Sequence, residues 1–105
     1  MIASSSLETP ALIRADAASR QPPIEIPVGW SRVGRSPMAE IQLNDVSVSR
    51  RHAVMVRTED ERLRVIDDRS LSGVYVNGER VRWAELTDGD ELGIGNVRFT
   101  IRQPA

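Results

Sequence analysis

From Pro10 onward the chain breaks into short apolar or alternating runs, each closed by Gly, Pro, Asn or Asp. That punctuation is the mark of β-strands joined by tight turns. The last run shows it best: Val97, Phe99 and Ile101 alternate with Arg98, Thr100 and Arg102, so one pleat face is apolar and the other polar. Leu63 and Val65 beside Arg62 and Arg64 repeat the pattern, as do Ile24 and Ile26 around Glu25, and Ile41 and Leu43 around Gln42. Ala53-Val54-Met55-Val56 is apolar on both faces and suits a central strand. Val74-Tyr75-Val76, Asn77-Gly78 and Glu79-Arg80-Val81 read as a hairpin closed by a two-residue turn. No window of helical length carries apolar residues at spacings of three and four without β-branched residues, Gly or Pro intervening, so no substantial helix is expected. Many short strands in 105 residues predict a single all-β domain, a sandwich of two packed antiparallel sheets. Residues 1–9, with three consecutive Ser, read as a flexible N-terminal tail, and 10–103 as the folded domain. Arg20-Gln21-Pro22-Pro23 reads as a loop between the first two strands.

Composition then removes whole classes of chemistry. All 14 basic residues are Arg, so a Schiff-base lysine, a Walker A loop and a kinase-type ATP clamp are excluded. There is no Cys and one His, which leaves no thiol nucleophile, no disulfide framework and no multi-imidazole metal site. Neither a cofactor nor a metal is expected. No apolar run approaches the roughly 20 residues of a membrane span, and the opening MIASSSLETP lacks the pattern of a secretory signal. A cytoplasmic domain without membrane insertion is the expectation.

The charge is distributed unevenly although it nearly cancels at −1. Between Trp30 and Arg57, Arg32, Arg35, Arg50, Arg51 and Arg57 face only Glu40 and Asp45. Between Thr58 and Ser70 the acids prevail, with Glu59, Asp60, Glu61, Asp67 and Asp68 against Arg62, Arg64 and Arg69. Most of these side chains solvate a surface. A cluster of Arg in the first segment also suits a small anion, because the guanidinium presents a planar fork to carboxylate or phosphate. Nucleic acid is not an expected partner, since Trp30, Tyr75, Trp83 and Phe99 are the only aromatics and acids are interspersed throughout.

Four segments carry the strongest signal: Val33-Gly34-Arg35, Val48-Ser49-Arg50-Arg51-His52-Ala53, Ser70-Leu71-Ser72-Gly73-Val74-Tyr75-Val76-Asn77-Gly78, and the stretch from Leu86 to Gly95 with its Asp88-Gly89-Asp90 turn. Each alone is common; in this order they closely resemble the forkhead-associated (FHA) domain across nearly the whole chain. The resemblance implies a β-sandwich of about eleven strands whose loops at one end bind a phosphothreonine in an extended peptide. It assigns phosphate contact to Arg35, Ser49 and Arg50. Gly34, His52, Asn77 and Gly78 become structural supports of the site. Ser49 and His52 otherwise suggest a nucleophile and base, but residues three apart in an extended strand face opposite sides, so a bracing His52 is favoured over catalysis.

Two positions depart from the family pattern. Where Gly-Ser-Thr-Asn-Gly is common, this chain reads Arg69-Ser70-Leu71-Ser72-Gly73. Leu71 offers no hydroxyl to phosphate, and Ser72 replaces an amide's donor and acceptor with one hydroxyl. One hydrogen bond lost to a charged group costs about 1.5–3 kcal/mol, at least roughly tenfold in affinity. Leu71 and Ser72 therefore define an altered peptide contact, and Arg69 adds charge at its rim. Two functional readings remain open: a phosphothreonine-peptide binding module in Ser/Thr-kinase-linked signalling or assembly, with a kinase or its substrate as partner, or an FHA-like scaffold binding protein partners without phosphate. An enzyme is not expected. Thr9, in Leu7-Glu8-Thr9-Pro10, is a candidate phosphoacceptor that would occupy the site of the same or a neighbouring molecule.

Overall fold

The computed structural model describes residues 9–15 and 21–104, and within them the chain forms eleven strands and no helix. They are β1 (Ala11–Arg14), β2 (Ile24–Glu25), β3 (Gly29–Gly34), β4 (Ile41–Gln42), β5 (Ala53–Arg57), β6 (Leu63–Asp67), β7 (Val74–Val76), β8 (Glu79–Val81), β9 (Trp83–Leu86), β10 (Glu91–Ile94) and β11 (Val97–Arg102). One sheet has the order β2-β1-β11-β10-β7-β8 and the other β4-β3-β5-β6-β9. Each sheet turns its apolar face inward. Leu12, Val74, Leu92, Ile94, Phe99 and Ile101 from the first meet Val33, Met55, Leu63, Val65 and Leu86 from the second, all buried in one core.

The sequence pattern sets these elements directly. In β11, Val97, Phe99 and Ile101 are buried while the residues between them are exposed or half-buried. The doubly apolar run Ala53–Val56 lies in β5, the central strand of its sheet. Asn77 and Gly78 close the β7–β8 hairpin with φ of 53° and 85°. Two successive left-handed residues make the turn whose twist matches the strands it joins. Gly95-Asn96 is a second two-residue turn, with Ile94 opposite Val97.

One pairing corrects the expectation of purely antiparallel sheets. β3 and β4 run parallel, with Val33 opposite Ile41 and Gly34 opposite Gln42. The cause is local: Glu40 accepts the backbone N–H of Arg32 at 2.8 Å and grips its guanidinium at 3.1 and 2.8 Å. The connection is thereby folded back beside β3 before β4 begins. That clasp holds the Glu40 carboxyl far below its usual range, at about 2. The flexible tail predicted for residues 1–9 falls, except for Thr9, outside the described residues, as does Arg20 of the predicted loop.

Candidate functional site

The end of the sandwich where β3 finishes and β5 begins gathers most of the residues singled out in the sequence. Gly34 makes the first contact possible. A Cβ there would lie 2.1 Å from the Arg50 carbonyl oxygen, so only glycine lets the strand end pass this close to the next loop. Beyond it, Arg35 N–H donates to Ser49 O at 2.9 Å and Ser36 N–H to Arg50 O at 3.2 Å. Two loops are thus paired like strands. The Arg35 Nε donates to Val48 O at 3.0 Å, which fixes the guanidinium while no carboxylate pairs with it among the described residues.

His52 is fully buried and ties three segments together. Its Nδ1 accepts the Ser49 N–H at 3.0 Å and its Nε2 donates to Gly73 O at 2.8 Å. Its own backbone N–H donates to Val33 O and its carbonyl accepts from Asp68 N–H. Both ring nitrogens are therefore committed to backbone groups. Neither is left to take a proton from the Ser49 hydroxyl, which rules out the nucleophile–base pair.

Ser49 Oγ accepts the Leu71 N–H at 3.0 Å and keeps its own hydrogen to donate. The Leu71 amide, the one group of that residue able to serve a phosphate, is thus engaged inside the protein, while its side chain is 89% exposed. Ser72 turns the other way, its hydroxyl donating to Ser47 O at 2.9 Å. It knits two loops. Arg50 is exposed, and its backbone N–H has no partner among the described residues. Arg51 instead lies 3.6 Å from Asp68.

Sequence reading missed the residue that joins these loops. The Ser47 N–H and hydroxyl both donate to Asp45 Oδ1, at 2.9 and 2.6 Å, and Ser47 Oγ accepts the Asn96 N–H at 2.9 Å. The hydroxyl and then the amide of Ser47 hold the Asp45 carboxyl below its usual range. An Asp two residues before a Ser is the signature of an Asx turn and was the available clue. Asp67 similarly accepts the Ser70 N–H at 2.8 Å, and Ser70 Oγ the Gly73 N–H at 2.9 Å.

Asn77, Gly78 and Thr9 lie apart from the Ser47–Ser49 hydrogen-bond cluster. Asn77 and Gly78 lie at the far end of β7 from Gly73, about 13 Å of extended chain away, and share no hydrogen bond with Ser47 or Ser49. Asn77 donates to Asp90 Oδ1 at 3.1 Å and accepts the Glu91 N–H at 2.9 Å, tying its hairpin to the Asp88-Gly89-Asp90 turn. Burial alone would raise the Asp90 carboxyl, but the Thr87 N–H, the Asn77 amide and the Thr87 hydroxyl outweigh it and leave it lowered. Thr9 sits at the opposite end as well. Its carbonyl accepts from Arg102 Nε at 3.0 Å, and β11 carries Arg102 about 17 Å from the Gly95-Asn96 turn.

Residues 31–95 match the sequence profile of the FHA domain. The chain belongs to the FHA domain family. The glycogen accumulation regulator GarA of Mycobacterium tuberculosis is 51% identical over 66 residues, which span 63% of this chain and 40% of GarA. The chain thus spans about two fifths of the length of that curated relative. A structure from work on phosphothreonine-dependent FHA domain interactions is 27% identical with a TM-score of 0.83, covering 92% of this chain and 98% of its own. EmbR of Mycobacterium tuberculosis, solved with a low-affinity phosphopeptide, is 35% identical with a TM-score of 0.77 over 91% of this chain and 24% of EmbR. In this FHA domain no described helix is long and apolar enough to cross a membrane, and no described cluster of His, Asp and Glu is suited to a metal ion.

Proposed function

We propose that this FHA domain is a non-enzymatic module that binds a phosphothreonine peptide and links its partner to Ser/Thr-kinase signalling. The observation that carries the proposal is the convergence of Arg35, Ser49 and Arg50 on one rigid loop end. A phosphate dianion needs a cationic fork and directed donors held in advance. Arg35 supplies the fork, anchored through Nε and with no carboxylate paired to it among the described residues. Ser49 supplies a hydroxyl whose acceptor side is already occupied by Leu71, and Arg50 supplies an exposed cation and a backbone N–H without a partner among the described residues. His52 and Gly34 hold the loops that carry them. The phosphothreonine-dependent interactions of one relative and the phosphopeptide bound to EmbR are in line with this reading.

The test is fluorescence anisotropy with a phosphothreonine peptide library and its unphosphorylated counterpart. Binding is expected only to phosphorylated peptides, and Arg35→Ala should weaken it by at least about thirtyfold, as removal of one partner of a charge pair costs about 2–5 kcal/mol. Equal binding of both peptide forms overturns the proposal. A second reading, partner binding without phosphate, is favoured by the exposed Leu71 and by the inward-turned Ser72 hydroxyl. Association that survives both phosphatase treatment and Arg35→Ala selects it. Thr9 as a phosphoacceptor is compatible with the first reading.

A further inference from the structure

The outer face of the five-stranded sheet carries both tryptophans of the chain, and both are largely exposed, Trp30 at 72% and Trp83 at 62%. Their surroundings differ. Trp83 stands opposite Ile66 at the end of the sheet nearest the loop cluster, whereas Trp30 stands opposite Val56, toward the other end. Beside Trp83 an open groove of about 590 Å³ is lined by Ile66, Asp67, Arg69, Arg82 and Trp83. Its lining combines the apolar Ile66 and Trp83 with two cations, Arg69 and Arg82, and one acid, Asp67. Among the described residues no carboxylate pairs with Arg69 or Arg82, and the one acid present, Asp67, already receives the Ser70 N–H.

This groove adjoins, through Arg69, the chain segment that carries Leu71 and Ser72. Leu71 N–H is bonded to Ser49 Oγ, and Arg69, two residues earlier, forms the groove's near wall. Arg69 has a left-handed backbone, with φ 59°. The distance from Ser49 to Trp83 is about 10–15 Å by strand spacing and chain length, a span that four or five extended residues bridge. An exposed indole over an aliphatic side chain, walled by unpaired guanidinium groups, suits an apolar residue flanked by carboxylates.

We infer that the Trp83–Ile66 groove binds a second segment of the same ligand chain, an aliphatic residue with acidic neighbours lying four or five residues from the phosphothreonine. The inference rests on the phosphothreonine reading for its first anchor. Tethering makes the second contact intramolecular, so even a weak groove contact raises affinity. A second copy of this domain is disfavoured as the occupant because like-charged Arg69 and Arg82 would meet their equivalents.

The experiment uses a phosphothreonine peptide of five residues, with the phosphothreonine central, and two longer versions bearing Glu-Asp-Leu-Asp-Glu directly at one end or the other, which puts the Leu five residues from the phosphothreonine. One extension is expected to bind about tenfold more tightly than the short peptide, in the range of a single well-buried contact. In a Trp30→Phe background, where Trp83 is the sole indole, only that peptide should shift the emission to shorter wavelength. Trp83→Ala and Arg82→Glu should abolish the gain and leave the short peptide's affinity unchanged. Equal binding of all three peptides to the wild-type domain overturns the inference, as does a gain that persists in both variants. Binding of the extended peptide that ignores phosphorylation and Arg35→Ala, yet needs Trp83, upholds the groove and removes the phosphothreonine reading. If no peptide binds, both fall.

Discussion

Replacing Gly34 by Ala adds one methyl group where the structure leaves no room for it. The new Cβ would sit 2.1 Å from Arg50 O and 2.8 Å from its carbonyl carbon, against a tolerable C···O separation of roughly 3.3 Å. The Arg50 loop must then retreat by about 1.2 Å. Both interloop hydrogen bonds, at 2.9 and 3.2 Å, would stretch to about 4 Å and cease to be bonds. Two hydrogen bonds at about 1 kcal/mol each and about 1–3 kcal/mol of overpacking give about 3–5 kcal/mol. That is a large part of the roughly 5–15 kcal/mol that holds such a domain folded. Differential scanning calorimetry should show the melting temperature falling by about 12–30 °C. Phosphopeptide affinity, measured by anisotropy well below the lowered midpoint, should drop more than about tenfold because Arg35 and Ser49 no longer share one frame. A variant that melts within about 3 °C of wild type and binds normally would refute the close approach of these loops and with it the pre-organised site.

Other substitutions probe the same framework from different sides. His52→Ala strands the Ser49 N–H and the Gly73 carbonyl and should cost about 2–5 kcal/mol; His52→Asn, which preserves an acceptor near Ser49, should recover part of that in urea denaturation, and full stability in both variants would contradict the bracing role. Ser31 is fully buried with its hydroxyl unpartnered among the described residues, so Ser31→Ala should raise stability by about 1 kcal/mol; a lowered melting temperature would show that the hydroxyl has a partner. Acid should act through Asp45, Glu40 and Asp90, whose carboxyls are lowered in the folded state from ordinary values of 3.8, 4.5 and 3.8. Their stabilisation is complete above those ordinary values and is lost as pH falls toward the folded ones, near 2 for Glu40. Thermal melts should therefore be flat from neutral pH to about 5 and decline below about 4.5, with Asp45→Asn reducing the decline; a midpoint unchanged down to pH 3 contradicts this.

The strands were legible because each advertises one buried face: Phe99 and its neighbours in β11, Leu63 and Val65 in β6, and the Asn77-Gly78 turn all declare themselves through side-chain alternation or a φ requirement. The parallel β3–β4 pair was not, because its direction depends on Glu40 reaching back eight residues to Arg32, a contact that no periodicity encodes. The motif residues Gly34, Arg35, Ser49 and His52 do come together. Ser47 escaped notice since its value lies in what its backbone and hydroxyl join in space. Asn77 joins its hairpin to the Asp88-Gly89-Asp90 turn, at the end of β7 away from Ser49.

Ser47 also determines how the domain behaves under tension. It lies in a loop of the five-stranded sheet, while its partners Ser72 and Asn96 lie in loops entering β7 and β11 of the other. A partner held at this end and pulled would pass its force into both sheets through these bonds.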